Sequence, residues 1–245
     1  MRSEVTDNEM GVELMKREQA VRAVYHPAII RYSELGRTER GDIYLVMDYV
    51  DGIPLDARFR ETPLTPGETL ALARRLAEGL AACHERGVIH RDLSPDNVLL
   101  RDGRLDEAVI IDFGIAKDTK KGDSTVIGGQ FAGKYTYAPP EQFRGQVDAR
   151  SDLYALGMTL LAAVRGRAPK FGQNDFEVFE NKARPLDLSD LPEPLRQVIE
   201  EMTDPDPALR PASAGALIEL IDALTGREVQ HPRRREPEPE ATVIA

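Results

Sequence analysis

The chain has 245 residues, 41% hydrophobic and 30% charged, an ordinary mixture for a globular protein with a sizeable core. Its 42 acidic and 32 basic residues give a net charge of -10, which argues against a nucleic-acid-binding protein because such proteins show a basic face. The lone Cys83 excludes an intrachain disulfide and a cysteine-based metal site, and it fits a reducing, cytoplasmic location. The polar first ten residues do not resemble a signal peptide, and the longest apolar stretch, 153–164, is too short for a membrane segment.

The beginning of the chain is predicted to hold one helix and two strands. Apolar residues at roughly helical spacing predict a helix over 8–25, which ends at His26-Pro27 because proline disfavours helical geometry in the residue before it. Two strands are predicted over 28–35 and 43–50, and the segment Asp51-Gly52-Ile53-Pro54 breaks the second one.

The rest of the chain is predicted to be mostly helical. A strongly amphipathic helix spans 66–86, with Pro66 at its start and Thr65 as its N-cap. The last residues, 226–245, can bury little apolar area and are expected to be disordered. The segregation of strands from helices predicts an α+β fold. Short strands are expected near 98–101 and 108–111, and further helices at 151–165, 192–202 and 213–224.

One short segment concentrates the polar residues that could carry chemistry. It reads HRDLSPDN over 90–97, and Asp112 follows Asp92 by twenty residues in the sequence IIDFG. A single aspartate in a polar loop is usually a turn residue, but this set in this order and spacing is highly specific. It resembles the protein kinase family, with 90–97 similar to the catalytic loop, 112–114 to the magnesium motif and 138–141 to the motif that closes the activation segment.

The resemblance covers residues 10–224 and implies a kinase-like fold of two lobes. Residues 1–50 would be a partial small lobe, with the hinge between the lobes at 47–52. Residues 53–225 would be a mostly helical large lobe, followed by the 226–245 tail. The implied activity is that of a bacterial-type serine/threonine protein kinase that uses ATP and Mg²⁺ to phosphorylate a protein substrate.

The resemblance also assigns roles to particular residues. Phosphoryl transfer depends on positioning and on neutralising charge, so Asp92 would orient the acceptor hydroxyl and take its proton. Asn97 and Asp112 would supply the oxygen ligands that Mg²⁺ prefers. Two structural matches accompany them: a buried ion pair between Glu141 and Arg210, and Asp152 as the residue that holds the catalytic-loop backbone.

The stretch 47–50 resembles the family's hinge, which binds the adenine ring of ATP. Backbone groups of Asp48 and Val50 would hydrogen-bond the ring, with Met47 at the back of the pocket and Leu99 beneath it. The loop before 137 offers candidate phosphorylation sites for activation, because an activating phosphate could neutralise the arginine that precedes Asp92. These candidates are Thr119, Ser124 and Thr125.

The largest departure from the family lies near the start of the chain. No G-x-G-x-x-G motif and no V-A-I-K strand precedes the first helix. The family's helical glutamate matches Glu18, whose lysine partner would fall near residue 3 or before Met1. We therefore expect an N-terminally truncated kinase with an incomplete small lobe, poorly active as given, whose open sheet edge a partner or a second copy could cover.

A second departure concerns two positions beside the expected site. The family usually has lysine two residues after the catalytic aspartate, where this chain has Ser94, and threonine where this chain has Lys134. One hypothesis is that Lys134 reaches Asp92 and supplies the charge that position 94 lacks. The alternative, equally open, is that Lys134 points to solvent and Ser94 is a weak variant.

Two other functions compete with the kinase interpretation. A kinase-like pseudoenzyme or scaffold that binds a partner is favoured by the missing motifs but disfavoured by the intact Asp92, Asn97 and Asp112. A small-molecule phosphotransferase of related fold would share these three residues. It would generally lack the activation segment that ends at 138–141 and the Asp-x-Tyr helix that follows.

Overall fold

The structure is a computed structural model, and it describes residues 20–38, 43–113 and 135–227. Residues 20–22 are helical, so the helix predicted over 8–25 ends three residues earlier than expected, and its part before residue 20 lies outside the described residues. The strands are β1 (Tyr32–Arg37), β2 (Ile43–Met47), β3 (Gly52–Pro54), β4 (Val98–Arg101) and β5 (Ala108–Ile110). The α-helices named below are α1 (Leu55–Glu61), α2 (Pro66–His84), α3 (Ala149–Arg165), α4 (Asp175–Lys182), α5 (Leu195–Met202) and α6 (Ala214–Thr225).

Strands β1 and β2 form an antiparallel pair that precedes the hinge. β2 lies within the predicted strand 43–50, whereas β1 begins four residues later than the predicted strand 28–35. The reason is that the chain before β1 bonds to the end of β5 instead. The Ile110 N–H donates to the Ala28 carbonyl at 2.8 Å, and the Ile30 N–H donates to the Ile110 carbonyl at 2.9 Å.

A second antiparallel sheet has the order β3-β4-β5 and lies at the start of the large lobe. Strands β4 and β5 were predicted from the sequence, but β3 was not, because 51–54 was expected only to break a strand. Gly52 makes the pairing possible: a Cβ atom there would lie 2.5 Å from the Leu100 carbonyl oxygen. A residue without a side chain is therefore needed where the two backbones meet.

Helix α2 has the local signals that the sequence predicted. The Thr65 side chain accepts the Glu68 N–H while the Glu68 carboxylate accepts the Thr65 N–H, which is a complete capping box. The apolar face of α2 is buried through Leu72, Leu76 and Leu80. This face packs against α3 and α6, so α2 forms one wall of the large-lobe core.

Helix α3 is the central helix of the large lobe. Asp148 caps its first turn and Gly166, in the left-handed conformation, ends it. Most of its residues are buried, since α1, α2, α5 and α6 all contact it. Helices α3, α5 and α6 confirm the predicted helices at 151–165, 192–202 and 213–224, and no end differs by more than three residues. The short helices α1 and α4 were not predicted.

In the described residues the strands lie in the first part of the chain, interrupted by α1 and α2, and only helices follow β5, which confirms the α+β prediction. No helix within the described ranges has the length and apolar character that crossing a bilayer requires. The predicted disordered tail lies almost entirely outside the described residues, which end at residue 227.

Candidate active site

The loop 90–97 connects the end of α2 to β4, and a buried carboxylate on α3 fixes its first residues. Asp152 is 1% exposed. One of its oxygens accepts the His90 N–H at 2.8 Å, and the other accepts the Arg91 N–H at 2.9 Å. His84 Nε2 lies 2.8 Å from the first oxygen. Asp152 therefore holds the loop backbone, as the sequence predicted.

Two non-glycine residues of this region have a left-handed backbone: φ is 67° at Arg91 and 53° at Asp112. Such a conformation costs about 1–3 kcal/mol and persists only where the surroundings hold it in place. At Arg91, Asp152 accepts the N–H while the Gln142 side-chain amide donates to the carbonyl at 3.1 Å. Both peptide groups of Arg91 are thus fixed, and residues of this kind concentrate at functional sites.

Hydrogen bonds connect the three predicted catalytic residues. The Asn97 Nδ2 group donates to the Asp92 carbonyl at 2.8 Å, and the Ile111 N–H donates to the Asn97 carbonyl at 2.9 Å. Asp112 follows Ile111 directly. The side chain of Asn97 is buried, that of Asp92 is half-buried and that of Asp112 is exposed, so the group lies at the edge of the core.

The oxygens of this group fit a magnesium ion. Since Nδ2 of Asn97 is bonded to the Asp92 carbonyl, its Oδ1 is the amide atom left for a metal. Mg²⁺ commonly takes only one or two carboxylates from the protein and completes its shell with phosphate oxygens and water. Within the described ranges no group of three or more His, Cys, Asp or Glu side chains could hold a metal ion.

A buried aromatic cluster supports the segment that carries Asp112. The Phe113 ring lies 4.6 Å from the His90 ring and 6.0 Å from the Tyr32 ring, measured between centroids. The Phe113 N–H donates to the Tyr32 hydroxyl at 3.3 Å. Burial raises the pKa of Tyr32 to about 12, so the hydroxyl stays protonated at neutral pH. Sequence reasoning missed Tyr32, because a tyrosine in a strand gives no signal beyond strand propensity.

The predicted hinge lies between β2 and β3. Val50 belongs to the buried core and Leu99 packs against it, whereas Met47 is 44% exposed. The Asp48 N–H donates to the Arg31 carbonyl at 2.9 Å, so this N–H is engaged within the protein. The place of Met47 at the back of the adenine pocket stays a prediction.

The predicted ion pair between Glu141 and Arg210 is present and buried. The two guanidinium nitrogens of Arg210 donate to the two carboxylate oxygens of Glu141 at 2.7 and 2.9 Å. The Ser151 hydroxyl adds a third bond to Glu141 at 2.8 Å. The Glu141 segment is thereby fixed to α3 and to the chain before α6.

The remaining predicted site residues are Ser94, which is described, and Glu18 and Lys134, which are not. Ser94 precedes the 3-10 helix Pro95–Asn97 and accepts the Asn97 N–H through its carbonyl at 3.0 Å. Glu18 and Lys134 lie outside the described residues, as do the candidate phosphorylation sites. The contact between Lys134 and Asp92 thus stays a prediction.

Comparison with known proteins places these features in a family. The family model described as protein kinase domain matches residues 2–220. The chain is 37% identical over 226 residues to serine/threonine-protein kinase pkn2 of Myxococcus xanthus, covering 86% of this chain and 27% of that protein. It is 34% identical over 214 residues to serine/threonine-protein kinase PkaA of Streptomyces coelicolor, covering 85% of this chain and 39% of that protein. The chain thus spans well under half the length of these relatives.

The fold is also found among solved structures. The structure of Rad53 1-466 in complex with AMP-PNP superposes with a TM-score of 0.71 at 22% identity, covering 85% of this chain and 54% of that chain. This likeness confirms the predicted kinase-like two-lobe fold, with few strands in the small lobe and a mostly helical large lobe.

Proposed function

This chain belongs to the protein kinase family, in its bacterial serine/threonine branch, and we propose that its site transfers the terminal phosphoryl group of ATP to a protein hydroxyl. The observation that carries the proposal is the direct bonding of the Asp92, Asn97 and Asp112 segments to one another. A carboxylate, an amide and a second carboxylate at one edge of the core are the groups that phosphoryl transfer requires.

Each residue has one role in the proposed reaction. Asp92 orients the serine or threonine hydroxyl and takes its proton as the hydroxyl oxygen bonds to phosphorus. The bond from phosphorus to the bridging oxygen breaks, and ADP leaves with that oxygen. Asn97 and Asp112 would hold Mg²⁺, which neutralises charge on the phosphates. Backbone groups of 48–50 would bind adenine, with Leu99 against the ring.

The proposal also concerns how fast a protein made only of these 245 residues would transfer phosphate. The sequence contains no glycine-rich loop motif and no V-A-I-K lysine ahead of the hinge, so the phosphates would lose a cradle and a cation. We expect such a protein to transfer phosphate much more slowly than a kinase domain that contains both motifs. Equal rates for the two proteins would contradict this expectation.

A specific observation favours a second candidate, in which this surface binds a partner. Four large apolar side chains in and just after β2 are exposed: Tyr44 by 44%, Val46 by 41%, Met47 by 44% and Tyr49 by 89%. An exposed apolar patch beside a two-stranded sheet is a common contact surface. In this alternative the protein acts through partner binding at this small-lobe surface, and the nucleotide site is not used.

The decisive experiment follows thermal unfolding of the purified chain while Mg·ATP is added. A saturable rise in melting temperature is expected, because a ligand that binds only the folded state stabilises it. Asp112→Ala should abolish the rise. Asp102→Ala is the matched control, since Asp102 is also exposed and also has a positive φ, 51°, but lies in a turn away from the site.

Phosphoryl transfer is then measured directly with labelled ATP and a generic acceptor protein. Asp92→Asn should lower turnover by at least about a hundredfold, since general-base contributions are typically of that size. If the folded parent chain shows no rise with Mg·ATP and no transfer, the kinase proposal fails and the partner-binding alternative takes its place.

A further inference from the structure

Lys182, the last residue of α4, is a buried lysine that the proposed reaction does not use. Its exposed fraction is 1%. Its Nζ atom donates to the carbonyls of Thr136 and Ala138, each at 2.8 Å. The same atom lies 4.3 Å from the centre of the Phe171 ring and 5.0 Å from that of the Tyr154 ring. A lysine is almost never this deeply buried without a defined set of partners.

The surroundings of Lys182 make its charge costly. In the described residues no carboxylate forms a salt bridge with it, so backbone carbonyls and ring faces are its partners. Burial lowers the pKa of Lys182 to about 7; the Glu141 carboxylate opposes this shift and the Arg210 guanidinium adds to it. Ionisable groups whose pKa is shifted this strongly are often found at functional sites.

The carbonyls that Lys182 holds belong to a short segment that also contacts the loop 90–97. The segment spans 136–138, and the 3-10 helix Pro140–Arg144 begins two residues after it. The Gln142 side chain of this 3-10 helix donates to the Arg91 carbonyl at 3.1 Å. The Tyr137 phenol lies near the Asp96 carboxylate, which adds to the increase in the pKa of Tyr137 that burial causes. The segment thus has the loop with the proposed catalytic base on one side and Lys182 on the other.

Two bonds from one ammonium group fix the orientation of this segment. An acceptor carbonyl at 136 and another at 138 must both face Nζ, which sets the planes of the 136–137 and 138–139 peptide groups. A polypeptide that presents its hydroxyl to Asp92 would pass beside these residues, because the chain four residues beyond Ala138 bonds to Arg91, the neighbour of Asp92. The geometry of this segment therefore limits how a protein acceptor can lie in the site.

We propose that Lys182 is a positioning residue that holds 136–138 in the conformation that receives the polypeptide around the phosphorylated hydroxyl. This inference rests on the proposed kinase function and adds to it a determinant of protein-acceptor binding on α4, remote in sequence from the loop. Lys182 touches neither nucleotide nor acceptor in this proposal. Its effect is transmitted through the Thr136 and Ala138 carbonyls.

Lys182→Met tests the proposal, because methionine is similar in length and apolar but donates no hydrogen bond. Lys170→Met is the matched control, since Lys170 is exposed and precedes α4. Hydrogen exchange of the amides within 135–142 reports on the segment without any need for activity. In Lys182→Met these amides should exchange at least about tenfold faster, while those of α2 and the control protein remain unchanged.

Steady-state kinetics separate positioning from general loss of structure. Lys182→Met should raise the KM for the acceptor protein by about tenfold and change the KM for ATP by less than about twofold. Lys182→Arg, which keeps the cation and its donors, should recover most of the exchange protection. If the methionine variant gives no cooperative thermal transition, Lys182→Gln, which is polar but uncharged and too short to reach both carbonyls, is used with the same expected increase in exchange.

The outcomes are distinguishable. Unchanged exchange within 135–142 in a folded Lys182→Met protein overturns the inference, and so does an equal rise in the KM for ATP and for the acceptor. If the parent protein transfers no phosphate, the proposed function fails, and the exchange comparison alone then supports or overturns the role of Lys182.

Discussion

Replacing Asp152 by asparagine tests whether one buried carboxylate holds the loop that carries Asp92. The carboxylate accepts the N–H groups of His90 and Arg91 with different oxygens, at 2.8 and 2.9 Å. Asparagine has the same shape but only one acceptor oxygen, so one buried N–H would face an amide NH₂ group instead. The substitution therefore removes hydrogen-bond acceptance without creating a cavity.

The magnitude follows from these contacts. One buried donor left unpaired costs about 1–3 kcal/mol, and the remaining bond weakens because its acceptor is no longer charged. We expect Asp152→Asn to lower the free energy of unfolding by about 2–4 kcal/mol. Arg91 should also leave its left-handed conformation, φ 67°, once the bond that opposes this strain is lost, and Asp92 would move with it.

Urea unfolding measures the stability, and hydrogen exchange at 90–92 measures the loop. The matched control is Asp222→Asn, because Asp222 is also a buried carboxylate but accepts from Arg74 on α2, at 2.8 and 3.1 Å. The control should lose stability while its exchange at 90–92 and its melting shift with Mg·ATP stay as in the parent. A loss under about 1 kcal/mol for Asp152→Asn, or unchanged exchange at His90 and Arg91, would refute the reasoning.

Further substitutions test contacts elsewhere. Arg210→Met leaves the buried Glu141 carboxylate without its guanidinium and should lower the unfolding free energy in urea by about 3–5 kcal/mol. Tyr32→Phe leaves the buried Phe113 N–H without an acceptor; it should cost about 1–3 kcal/mol and raise the Mg·ATP concentration for half-maximal melting shift. Lys182 has a pKa of about 7 when folded and 10.5 when unfolded, so the unfolded chain binds more protons between these values. Stability should therefore rise with pH across this interval, and Lys182→Met should remove that part of the rise in urea titrations.

Each of these changes has a control in which the same substitution is made at an exposed position. Arg104→Met, Tyr44→Phe and Lys170→Met should leave the measured property as in the parent, since these side chains lie at the surface. If a control reproduces the effect of its buried counterpart, the effect comes from the change of residue type and not from the contact. Each control decides only the argument for its own buried counterpart, which is Arg210, Tyr32 or Lys182.

The parts of the fold that the sequence predicted are those with local signals. Helix α2 was predicted because Thr65 and Glu68 form a capping box and leucines repeat on one face. The loop 90–97 and Asp112 were recognised because a spacing of twenty residues between two aspartates, with an asparagine between them, is rare by chance. These signals are contained in short windows, so no knowledge of tertiary contacts was needed.

The parts that were missed depend on distant contacts. Strand β3 is only three residues long, and it forms because Gly52 lets its backbone approach β4 almost fifty residues later in the sequence. Lys182 was missed for a similar reason, because its acceptors are 46 and 44 residues away along the chain. A charged residue at the end of a short helix is ordinarily solvated, and only the packing around it makes Lys182 exceptional.

Helix α3 explains how the loop and the Lys182 segment come to be positioned together. Asp152 accepts from the loop backbone, the neighbouring Ser151 donates to Glu141, and the Tyr154 ring lies beside both Lys182 and Arg210. Adjacent residues of a helix point in different directions. Helix α3 can therefore contact the loop, Glu141 and Lys182 at the same time only because it is packed against the protein on several sides. The burial of α3 is thus a requirement of the site as well as of the core, and a shift of α3 would move the loop and the acceptor-binding segment at once.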